Sequence, residues 1–550
     1  MFETLFHSAR NRLLLAVMLI PFLLRLVLVW QDFPVLIKHS PLLEDDFYYY
    51  LNIARSVCDG HGFTADGRTP TTGFQFLHEA LCIAVTAPFS PESRYPFRII
   101  LSIEVLLSLA CLIVLLDMLR TFFGDREALI GGFIFSWWLP VFRHGNNGLE
   151  TVLQILMILV LVRLCYGVVI RRTPLQLALF GLACGISVLV RIDMLAFPAA
   201  FVAVEAIGFL RNKTSAREAG LAIGLVTFFS AAALVGLCLF DYSVNGHLLP
   251  DSGIAVKELA VEYIRNFFGG HVLSASPRRA LSVLLGDQPY NQLFEVLQIP
   301  LHPRLELCGI LVIASIYSLV KMRPKPPEAF HWTMGVAVMY SLALVLFYVF
   351  YLPAIWYFSR YLFTVAVLSL FILMPFAGEL ALKVRSRVRP AVFTSLMLLG
   401  CVWYMAAGTE RWIHFMTDPS EQLSDSELDH RPLSETRVSH IYDIGRWVKF
   451  NIPPTMRVAM WQNGLAEYVS RRNILHLDGI VNRYALEAWT NNRLDEYLKD
   501  QKVDYLIDFK SFTDIALEHS QHPTEIFTLI GISKSEGPNG TPVALYRVNR

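Results

Sequence analysis

Long apolar stretches recur along the chain up to residue 408 and are absent beyond it. A helix that crosses a bilayer needs about 20 predominantly apolar residues. The pattern therefore predicts eleven membrane-spanning helices, and residues 73–89 are predicted to form a juxtamembrane or re-entrant helix because His78 and Glu79 interrupt them. The predicted spans are 12–30, 98–119, 128–142, 149–169, 175–190, 194–210, 219–243, 303–320, 330–351, 361–382 and 391–408.

The tail, residues 409–550, has a different pattern. A polar linker leads into short β-rich runs at 457–461, 473–477, 505–508 and 543–548. Helical stretches are predicted at 439–451, 484–500 and 513–519. This alternation is typical of a small α/β domain. The sequence thus divides into a membrane domain, 1–408, and a soluble domain, 409–550. Asp478 and Gly479 are predicted to form a turn, and the tail is expected to hold no catalytic group.

Every second predicted loop is rich in lysine and arginine, and in membrane proteins such loops are cytoplasmic. The loops with few lysines and arginines, on the opposite side, include 31–97 and 244–302. These loops and the tail are predicted to face the periplasm or the cell exterior. The chain is thus expected to be a multi-pass protein of the cytoplasmic (inner) membrane. The cationic loops contain Arg10, Arg12, Arg120, Arg126, Arg171, Arg172, Arg211, Lys213, Arg217, Lys321, Arg323, Lys325, Lys383, Arg385, Arg387 and Arg389.

Composition agrees with a membrane protein. Of the 550 residues, 54% are hydrophobic and 17% are charged, against roughly 25% charged in soluble domains. The net charge of +1 gives no global basis for nucleic-acid binding. The eight cysteines lie mostly in or beside apolar segments, so a disulfide framework is not expected.

An acidic and aromatic stretch, Leu-Glu-Asp-Asp-Phe-Tyr-Tyr-Tyr at residues 43–50, follows the first predicted span. Acidic residues near the membrane cost free energy unless they are paired, hydrated or functional. Asp45 or Asp46 can cap a helix whose apolar positions recur at helical spacing as far as Cys58. We consider two interpretations, an amphipathic helix on the membrane surface and a solvated loop that carries acids.

Other polar residues collect on the same predicted face. Residues 143–150 read Arg-His-Gly-Asn-Asn-Gly-Leu-Glu, and Arg191 and Asp193 stand between two predicted spans. Lys257 lies in the loop 244–302, and Arg360 precedes the tenth span. Acids, histidines and arginines thus meet at one membrane interface, as a site for an anionic lipid substrate requires.

At this point the sequence resembles the GT-C membrane glycosyltransferases of bacteria and archaea, in particular the protein O-mannosyltransferase-like and aminoarabinose-transferase-like members. The resemblance begins in the first outer loop, with residues 45–55, 60–67 and 70–74. It continues through Asn147-Gly148-Leu149-Glu150-Thr151, Arg191-x-Asp193, Leu249-Pro250-x-Ser252-Gly253-x-x-x-Lys257, Ser359-Arg360-Tyr361 and Leu477-Asp478-Gly479-Ile480-Val481-Asn482.

The resemblance implies a hexosyl- or pentosyltransferase that takes a sugar from a polyprenyl-phosphate donor, usually with inversion, and passes it to a glycan, lipid or protein acceptor. A single displacement needs one general base and no protein nucleophile. Asp45 is the predicted base, and Asp46 either orients it or exchanges roles with it. Two adjacent carboxylates raise one pKa, which suits a base near neutral pH. Glu150 either positions substrate hydroxyls or stabilises a helix N-terminus.

The leaving lipid phosphate needs cations, and Arg360, then Lys257 and Arg191, are the predicted ligands. Arg191 also has an alternative role as the ion-pair partner of Asp193, and Arg360 as a side chain that reaches lipid headgroups. Tyr48, His61 and Asp193 are candidate contacts for the acceptor or the sugar, although Tyr48 also suits an aromatic belt and His61 a loop hydrogen bond. No certain cofactor is implied, and Asp45 with Asp46 could equally bind Mg²⁺ or Mn²⁺.

Two other functions fit parts of the pattern. A transporter or flippase of lipid-linked sugars also needs many spans, but it calls for polar residues at mid-membrane, and no inverted repeat is found. The second alternative is a non-catalytic scaffold whose tail binds a partner. Either should tolerate conservative changes at Asp45, Asp46 and Glu150, which a glycosyltransferase should not.

Overall fold

The structure is a computed structural model. It describes residues 9–33, 36–37, 43–268, 272–288, 301–321, 328–387, 432–436, 438, 440–536 and 541–549. The chain forms two compact units, each assembled from three segments. The first unit comprises Met1–Trp30, Leu101–Gly236 and Leu259–Met416, and the second comprises Gln31–Ile100, Leu237–Glu258 and Thr417–Arg550.

Helices dominate the described residues before 388. In chain order they are α1 (Ala9–Val29), α2 (Asp45–Cys58), α3 (Phe76–Thr86), α4 (Tyr95–Phe123), α5 (Asp125–Trp137), α6 (Leu139–His144), α7 (Thr151–Arg171), α8 (Pro174–Val190), α9 (Ala196–Leu210), α10 (Ala216–Asn245), α11 (Asp251–Phe268), α12 (Val272–Gly286), α13 (Leu301–Lys321), α14 (Glu328–Leu346), α15 (Phe358–Tyr361) and α16 (Phe363–Arg387). A 3₁₀ turn, Ile192–Leu195, precedes α9, and a π turn, Phe347–Tyr351, follows α14.

Seven helices of the described part are long and apolar enough to cross a membrane, which confirms a polytopic helical membrane protein. They are Asn11–Val29, Tyr95–Phe123, Thr151–Arg171, Ile192–Leu210, Ala216–Asn245, Glu328–Tyr351 and Phe363–Leu380. The predicted total of eleven stays a prediction, since span 391–408 lies outside the described residues.

Three predicted spans are described but are not among these seven, and one of them, 303–320, is the helix α13 (Leu301–Lys321). The expected span 128–142 is divided, because α5 ends at Trp137 and α6 begins at Leu139 with Pro140 in its first turn. Proline lacks the N–H that a continuing helix would need, but it fits a helix start. The expected span 175–190 is α8, an apolar helix of 17 residues.

The tail adopts the predicted α/β fold. Its helices are α17 (Ile441–Asn451), α18 (Gly464–Ser470), α19 (Arg483–Thr490), α20 (Leu494–Asp500), α21 (Lys510–Glu518) and α22 (Pro523–Ile526). Its strands are β1 (Val458–Met460), β2 (Ile474–His476), β3 (Tyr505–Phe509), β4 (Phe527–Glu536) and β5 (Pro542–Val548), in the order β2-β1-β3-β5-β4. β1 pairs in parallel with β2 and β3, whereas β5 runs antiparallel to β3 and β4.

Several details of the tail were not predicted, among them the short helices α18 and α22. The expected helix 484–500 is two helices, α19 and α20, because Asn492 adopts a left-handed conformation (φ 52°) that ends the first one. Strand β4 was missed. It pairs only with β5 and has register shifts near Gly531, so its apolar and polar residues do not alternate cleanly.

Candidate active site

The acidic stretch forms a helix rather than a loop. Glu44 is extended (φ −89°, ψ 148°), and its carbonyl accepts a hydrogen bond from Phe47 N, so α2 begins with Asp45 and Asp46. Carboxylates in the first turn stabilise the N–H end of a helix. The expectation of one apolar face was too narrow, however. Every residue from Phe47 to Ala54 is buried, so α2 is enclosed by protein on most sides.

Asp45 is anchored to the tail within the second unit. Its Oδ1 accepts a hydrogen bond from Leu465 N at 2.9 Å, and its Oδ2 accepts one from Gly464 N at 3.2 Å. These N–H groups open α18, where no intrahelical acceptor exists for them. Burial raises the pKa of Asp45 to about 6, Asp46 adds to the rise, and the two backbone hydrogen bonds oppose it. Both oxygens of Asp45 therefore hold two distant chain segments together.

Two further carboxylates of the tail lie near this pair. Asp478 Oδ2 accepts a hydrogen bond from the Tyr49 hydroxyl at 2.8 Å, and Oδ1 accepts one from Ile480 N at 2.9 Å. Burial raises the pKa of Asp478 to about 7, and Asp46 and Asp45 contribute in the same direction. The sequence indicated only a turn at Asp478. Its position after a buried strand, β2, was the signal available, but the hydrogen bond from Tyr49 was not predictable.

Asp508 is a second acid that sequence reasoning missed. It is fully buried at the end of β3, and its Oδ2 accepts hydrogen bonds from Trp461 N (2.8 Å) and Gln462 N (2.9 Å). Burial raises its pKa to about 7, and Asp45 contributes to the rise. The second unit therefore collects several acids whose ionisation falls near neutral pH.

The strip 70–74 and the strip 477–482, both part of the resemblance, approach each other closely. A Cβ on Gly73 would lie 2.0 Å from the Ile480 carbonyl oxygen, so only glycine fits there. Asp251, buried at the start of α11, fixes the first strip from another side, because its Oδ2 accepts hydrogen bonds from Thr72 N (3.0 Å) and Asn245 Nδ2 (2.9 Å). Three segments far apart in sequence are thus joined beside α2.

The remaining candidates of the second unit differ in exposure. Tyr48 is 2% exposed and packs among Phe97 and Tyr468, which favours a place in the core over a contact with a sugar. His61 is exposed and lines a polar cleft. Lys257 is partly buried on α11.

Arg191, Glu150 and Asp193 meet in the first unit. Arg191 is buried and forms ion pairs with Asp193 (3.3 Å) and Glu150 (3.7 Å). It also donates hydrogen bonds to Gln154 Oε1 (3.1 Å) and to the Tyr348 hydroxyl (2.8 Å). Burial lowers the pKa of Arg191, but Asp193 and Glu150 outweigh burial and leave it above its usual value. This closed network favours the ion-pair alternative for Arg191 and weakens its case as a phosphate ligand.

Arg360 has a different setting in the same unit. Its guanidinium lies over the rings of Tyr357 (4.5 Å to the centroid) and Tyr361 (5.2 Å). Beside it, Ser359 Oγ donates a hydrogen bond to Asp287 Oδ2 (3.2 Å) and contacts His144 Nε2 (3.1 Å). Burial, Arg143 and Arg360 together lower the pKa of His144 to about 3, so this imidazole is neutral. Aromatic rings, the neutral His144 and the Ser359–Asp287 hydrogen bond thus lie around Arg360.

A buried network that the sequence did not indicate holds the loop before α7. Arg25 of α1 donates hydrogen bonds to Asn146 Oδ1 (2.5 Å), Ser108 Oγ (2.8 Å) and the Gly145 carbonyl. Glu104 of α4 accepts one from Gly148 N at 3.1 Å. Buried polar groups among apolar helices cost free energy unless they are hydrogen-bonded. Arg25 and Glu104 therefore fix the loop that ends at Glu150.

A metal centre finds no support in this geometry. Among the described residues, no group of three or more histidine, cysteine, aspartate or glutamate side chains is arranged to hold a metal ion. The oxygens of Asp45 already accept two backbone hydrogen bonds. We therefore derive no step that passes through a metal.

Comparison with solved structures identifies the fold. ArnT from Cupriavidus metallidurans bound to undecaprenyl phosphate matches with a TM-score of 0.54 and 13% identity, covering 98% of each chain. The fold is that of the GT-C glycosyltransferases. The resemblance noted from the sequence motifs is thereby confirmed at the level of the GT-C fold.

Two GT-C structures from Archaeoglobus fulgidus agree. The oligosaccharyltransferase AglB, in complex with an inhibitory peptide and a dolichol-phosphate, has a TM-score of 0.52 and 13% identity over 98% of this chain and 74% of that one. The oligosaccharyltransferase in complex with Zn and sulfate has a TM-score of 0.55 and 14% identity over 96% and 72%.

Comparisons of sequence alone say less about the fold than the comparisons of structure do. Residues 430–546, within the tail, match a family model described as a domain of unknown function, DUF8728. No curated protein matches the chain. The GT-C assignment therefore depends on tertiary structure together with the motifs of the first loop.

Proposed function

We propose that this protein is a membrane glycosyltransferase that moves a sugar from a polyprenyl-phosphate donor to an acceptor hydroxyl. The observation that carries the proposal is the Asp45–Asp46 pair, held at the first turn of α2 on a GT-C fold. Burial raises the pKa of Asp45, one carboxyl of this pair, to about 6. The lipid phosphates named with ArnT and AglB support the donor class.

The geometry favours Asp46 over Asp45 as the base. Both oxygens of Asp45 accept backbone N–H groups, so taking a proton would compete with bonds that hold α2 to α18. Asp46 lies in the same first turn and, like Asp45, is partly exposed. In the proposed step the acceptor hydroxyl gives its proton to Asp46, and its oxygen bonds to the anomeric carbon. The bond from that carbon to the lipid phosphate breaks, the phosphate keeps the electron pair, and the configuration inverts.

Arg360 is the preferred phosphate ligand, with Lys257 second and Arg191 third. An arginine fork suits phosphate oxygens, and the rings of Tyr357 and Tyr361 stabilise the guanidinium in place. Arg191 is already satisfied by two carboxylates, so it fits better as the support of Glu150 and Asp193. His61 and Asp193 remain proposed contacts for the acceptor or the sugar. The sugar itself is left open.

The membrane orientation belongs to the same proposal. The cationic loops favour a cytoplasmic side opposite to 31–97 and the tail, so transfer is proposed for the periplasmic or external side of the cytoplasmic membrane. The membrane part, 1–408, would then carry the catalytic loops, and the tail, 409–550, would shape the acceptor entrance.

The test compares neighbouring acids in one strain. A deletion strain is complemented with wild type, Asp45→Asn, Asp46→Asn or Glu44→Gln, and its envelope glycans are analysed by mass spectrometry. Asp46→Asn should lower transfer about 10²–10⁴-fold, because general-base catalysis contributes that much. Glu44→Gln, a matched loss of one charge, should leave transfer intact. Immunoblots confirm equal protein levels.

Two outcomes would revise or overturn the proposal. If Asp45→Asn abolishes transfer and Asp46→Asn does not, the base is Asp45. If both variants transfer normally, the mechanism is wrong and a flippase or scaffold is favoured. Arg360→Gln should weaken apparent donor affinity about 10- to 100-fold, since a charged hydrogen bond contributes roughly 1.5–3 kcal/mol, with turnover of the bound donor less affected.

A further inference from the structure

A polar cleft of the second unit lies where α2 ends and α18 ends. Its volume is about 230 Å³. Six of its lining residues are Arg55, Asp59, His61, Glu92, Arg471 and Asn473. Clefts for drug-sized ligands commonly measure roughly 300–1,000 Å³, so this smaller cleft suits a ligand of the size of a single sugar. It is separate from the acids at the start of α2, and of its lining residues the proposed function uses only His61.

Two arginines meet at one aromatic ring beside this cleft. The guanidinium of Arg55 lies 4.9 Å from the centroid of Tyr468, and that of Arg471 lies 5.0 Å from it. Among the described residues, neither arginine forms an ion pair, and Nη1 of Arg471 is buried without a hydrogen-bond partner. Burial of unsatisfied donors and of neighbouring like charges costs free energy.

The backbone of Arg471 adds a second cost. It has φ +59°, in the left-handed region, at the residue that ends α18. Glycine is the favoured residue in this helix-ending position, and other L-residues there are strained. The strained backbone adds its free-energy cost to that of the unsatisfied Nη1 at the same residue.

The acids that line the cleft stabilise Arg55 at a distance, but none of them forms an ion pair with either arginine among the described residues. Glu467 is buried and hydrogen-bonded to His476, and burial raises its pKa well above the usual value. Asp59 and Glu92 are exposed at the rim, where they can accept hydrogen bonds from hydroxyl groups. The cleft thus combines two neighbouring arginines that lack an ion pair with several hydroxyl acceptors.

We propose that this cleft binds an acidic sugar, whose phosphate or carboxylate bridges Arg55 and Arg471 while its hydroxyls contact the acids of the rim. An oxyanion would supply the missing acceptor for Nη1 of Arg471 and offset the repulsion between the two guanidinium groups. Within the proposed function this sugar is part of the acceptor, and that role rests on the proposed function. The binding site itself does not.

The experiment uses the full chain in phosphatidylcholine nanodiscs and measures binding of glucose 6-phosphate and glucuronate by calorimetry, with glucose and inorganic phosphate as comparisons. Either acidic sugar should bind at least tenfold more tightly than glucose and more tightly than phosphate. Arg471→Gly should lose at least tenfold in affinity, yet its melting temperature should hold or rise because the strain is relieved. Lys502→Gly is the matched control, since Lys502 also has positive φ (53°) but is exposed and outside the cleft.

Three results would overturn the inference. The first is that Arg471→Gly binds the acidic sugars with the affinity of the wild type. The second is that glucose binds as tightly as both acidic sugars. The third is that the Lys502→Gly control no longer binds the acidic sugars. A second set of nanodiscs containing phosphatidylglycerol separates the sources of the anion. If that lipid protects Arg471 from phenylglyoxal and neither acidic sugar does, the ligand is a lipid headgroup and the sugar assignment is wrong. Asp46→Asn should bind acidic sugars normally, so this inference and the catalytic proposal fail separately.

Discussion

Adding a single methyl group at Gly464 should push the first loop away from the tail. A Cβ built there would lie 2.7 Å from the backbone oxygen of Asp45 and 2.8 Å from Cδ1 of Tyr49, whereas ordinary contacts begin near 3.4 Å. The Asp45 oxygen is backbone and the Tyr49 ring is buried, so neither can rotate away. Gly464→Ala must therefore push α2 and α18 apart by about 0.6–0.7 Å.

The expected cost follows from this displacement. Overpacking of a filled site costs about 1–3 kcal/mol. For a unit of roughly 200 residues, 1 kcal/mol corresponds to about 2–4 °C, so the melting transition of the second unit should fall by about 3–10 °C. The hydrogen bonds from Gly464 N and Leu465 N to Asp45 should also lengthen, and sugar transfer should fall with them because misplacement by even 1 Å costs roughly 10²-fold.

Scanning fluorimetry of the protein in detergent measures the first effect, and the complementation assay measures the second. Gly253→Ala is the matched control, since Gly253 lies in helix α11 with nothing within 4 Å of the added Cβ. It should keep both stability and transfer. Unchanged melting of Gly464→Ala would refute the close packing of α2 on α18, and with it the anchoring role of Asp45.

Three other predictions test separate features. Asp478 should make the second unit less stable as the pH rises from about 4 to 7, because its folded-state pKa of about 7 exceeds the usual value near 3.9. Asp478→Asn should reduce the fall in melting temperature between pH 5 and pH 8. An unchanged pH dependence would contradict the burial of this acid. Arg25→Met should destabilise the first unit by about 1–3 kcal/mol, because Asn146, Ser108 and the Gly145 carbonyl lose a buried donor. Arg25→Lys should not restore stability, because one ammonium cannot replace the fork, and normal melting of either variant would count against the network. A periplasm-dependent reporter fused to the C-terminus should be active, and activity of a cytoplasm-dependent one would reverse the orientation.

Several features were readable from the sequence because they depend on local pattern. Apolar runs of about 20 residues identify membrane helices wherever they occur, since a bilayer imposes that length. Asp45 and Asp46 before a run of apolar residues marked the start of α2, because carboxylates suit the N-terminal turn. The strands β1, β2, β3 and β5 were also found, since β-branched runs bounded by turn residues need no distant contact to be recognised.

Other features depend on contacts between segments that local periodicity does not encode. The motif showed two adjacent acids, but only the packing of α2 on α18 showed that Asp45 binds N–H groups more than 400 positions away. Likewise, Arg191 could be a phosphate ligand or an ion-pair partner until the fold enclosed it with Glu150 and Asp193. Arg55 and Arg471 each read as an ordinary surface cation, and only the chain fold brings both to Tyr468. The physical reason is that the pKa, the hydrogen-bond partners and the exposure of a side chain are set by whatever surrounds it, and those neighbours come from remote parts of the chain.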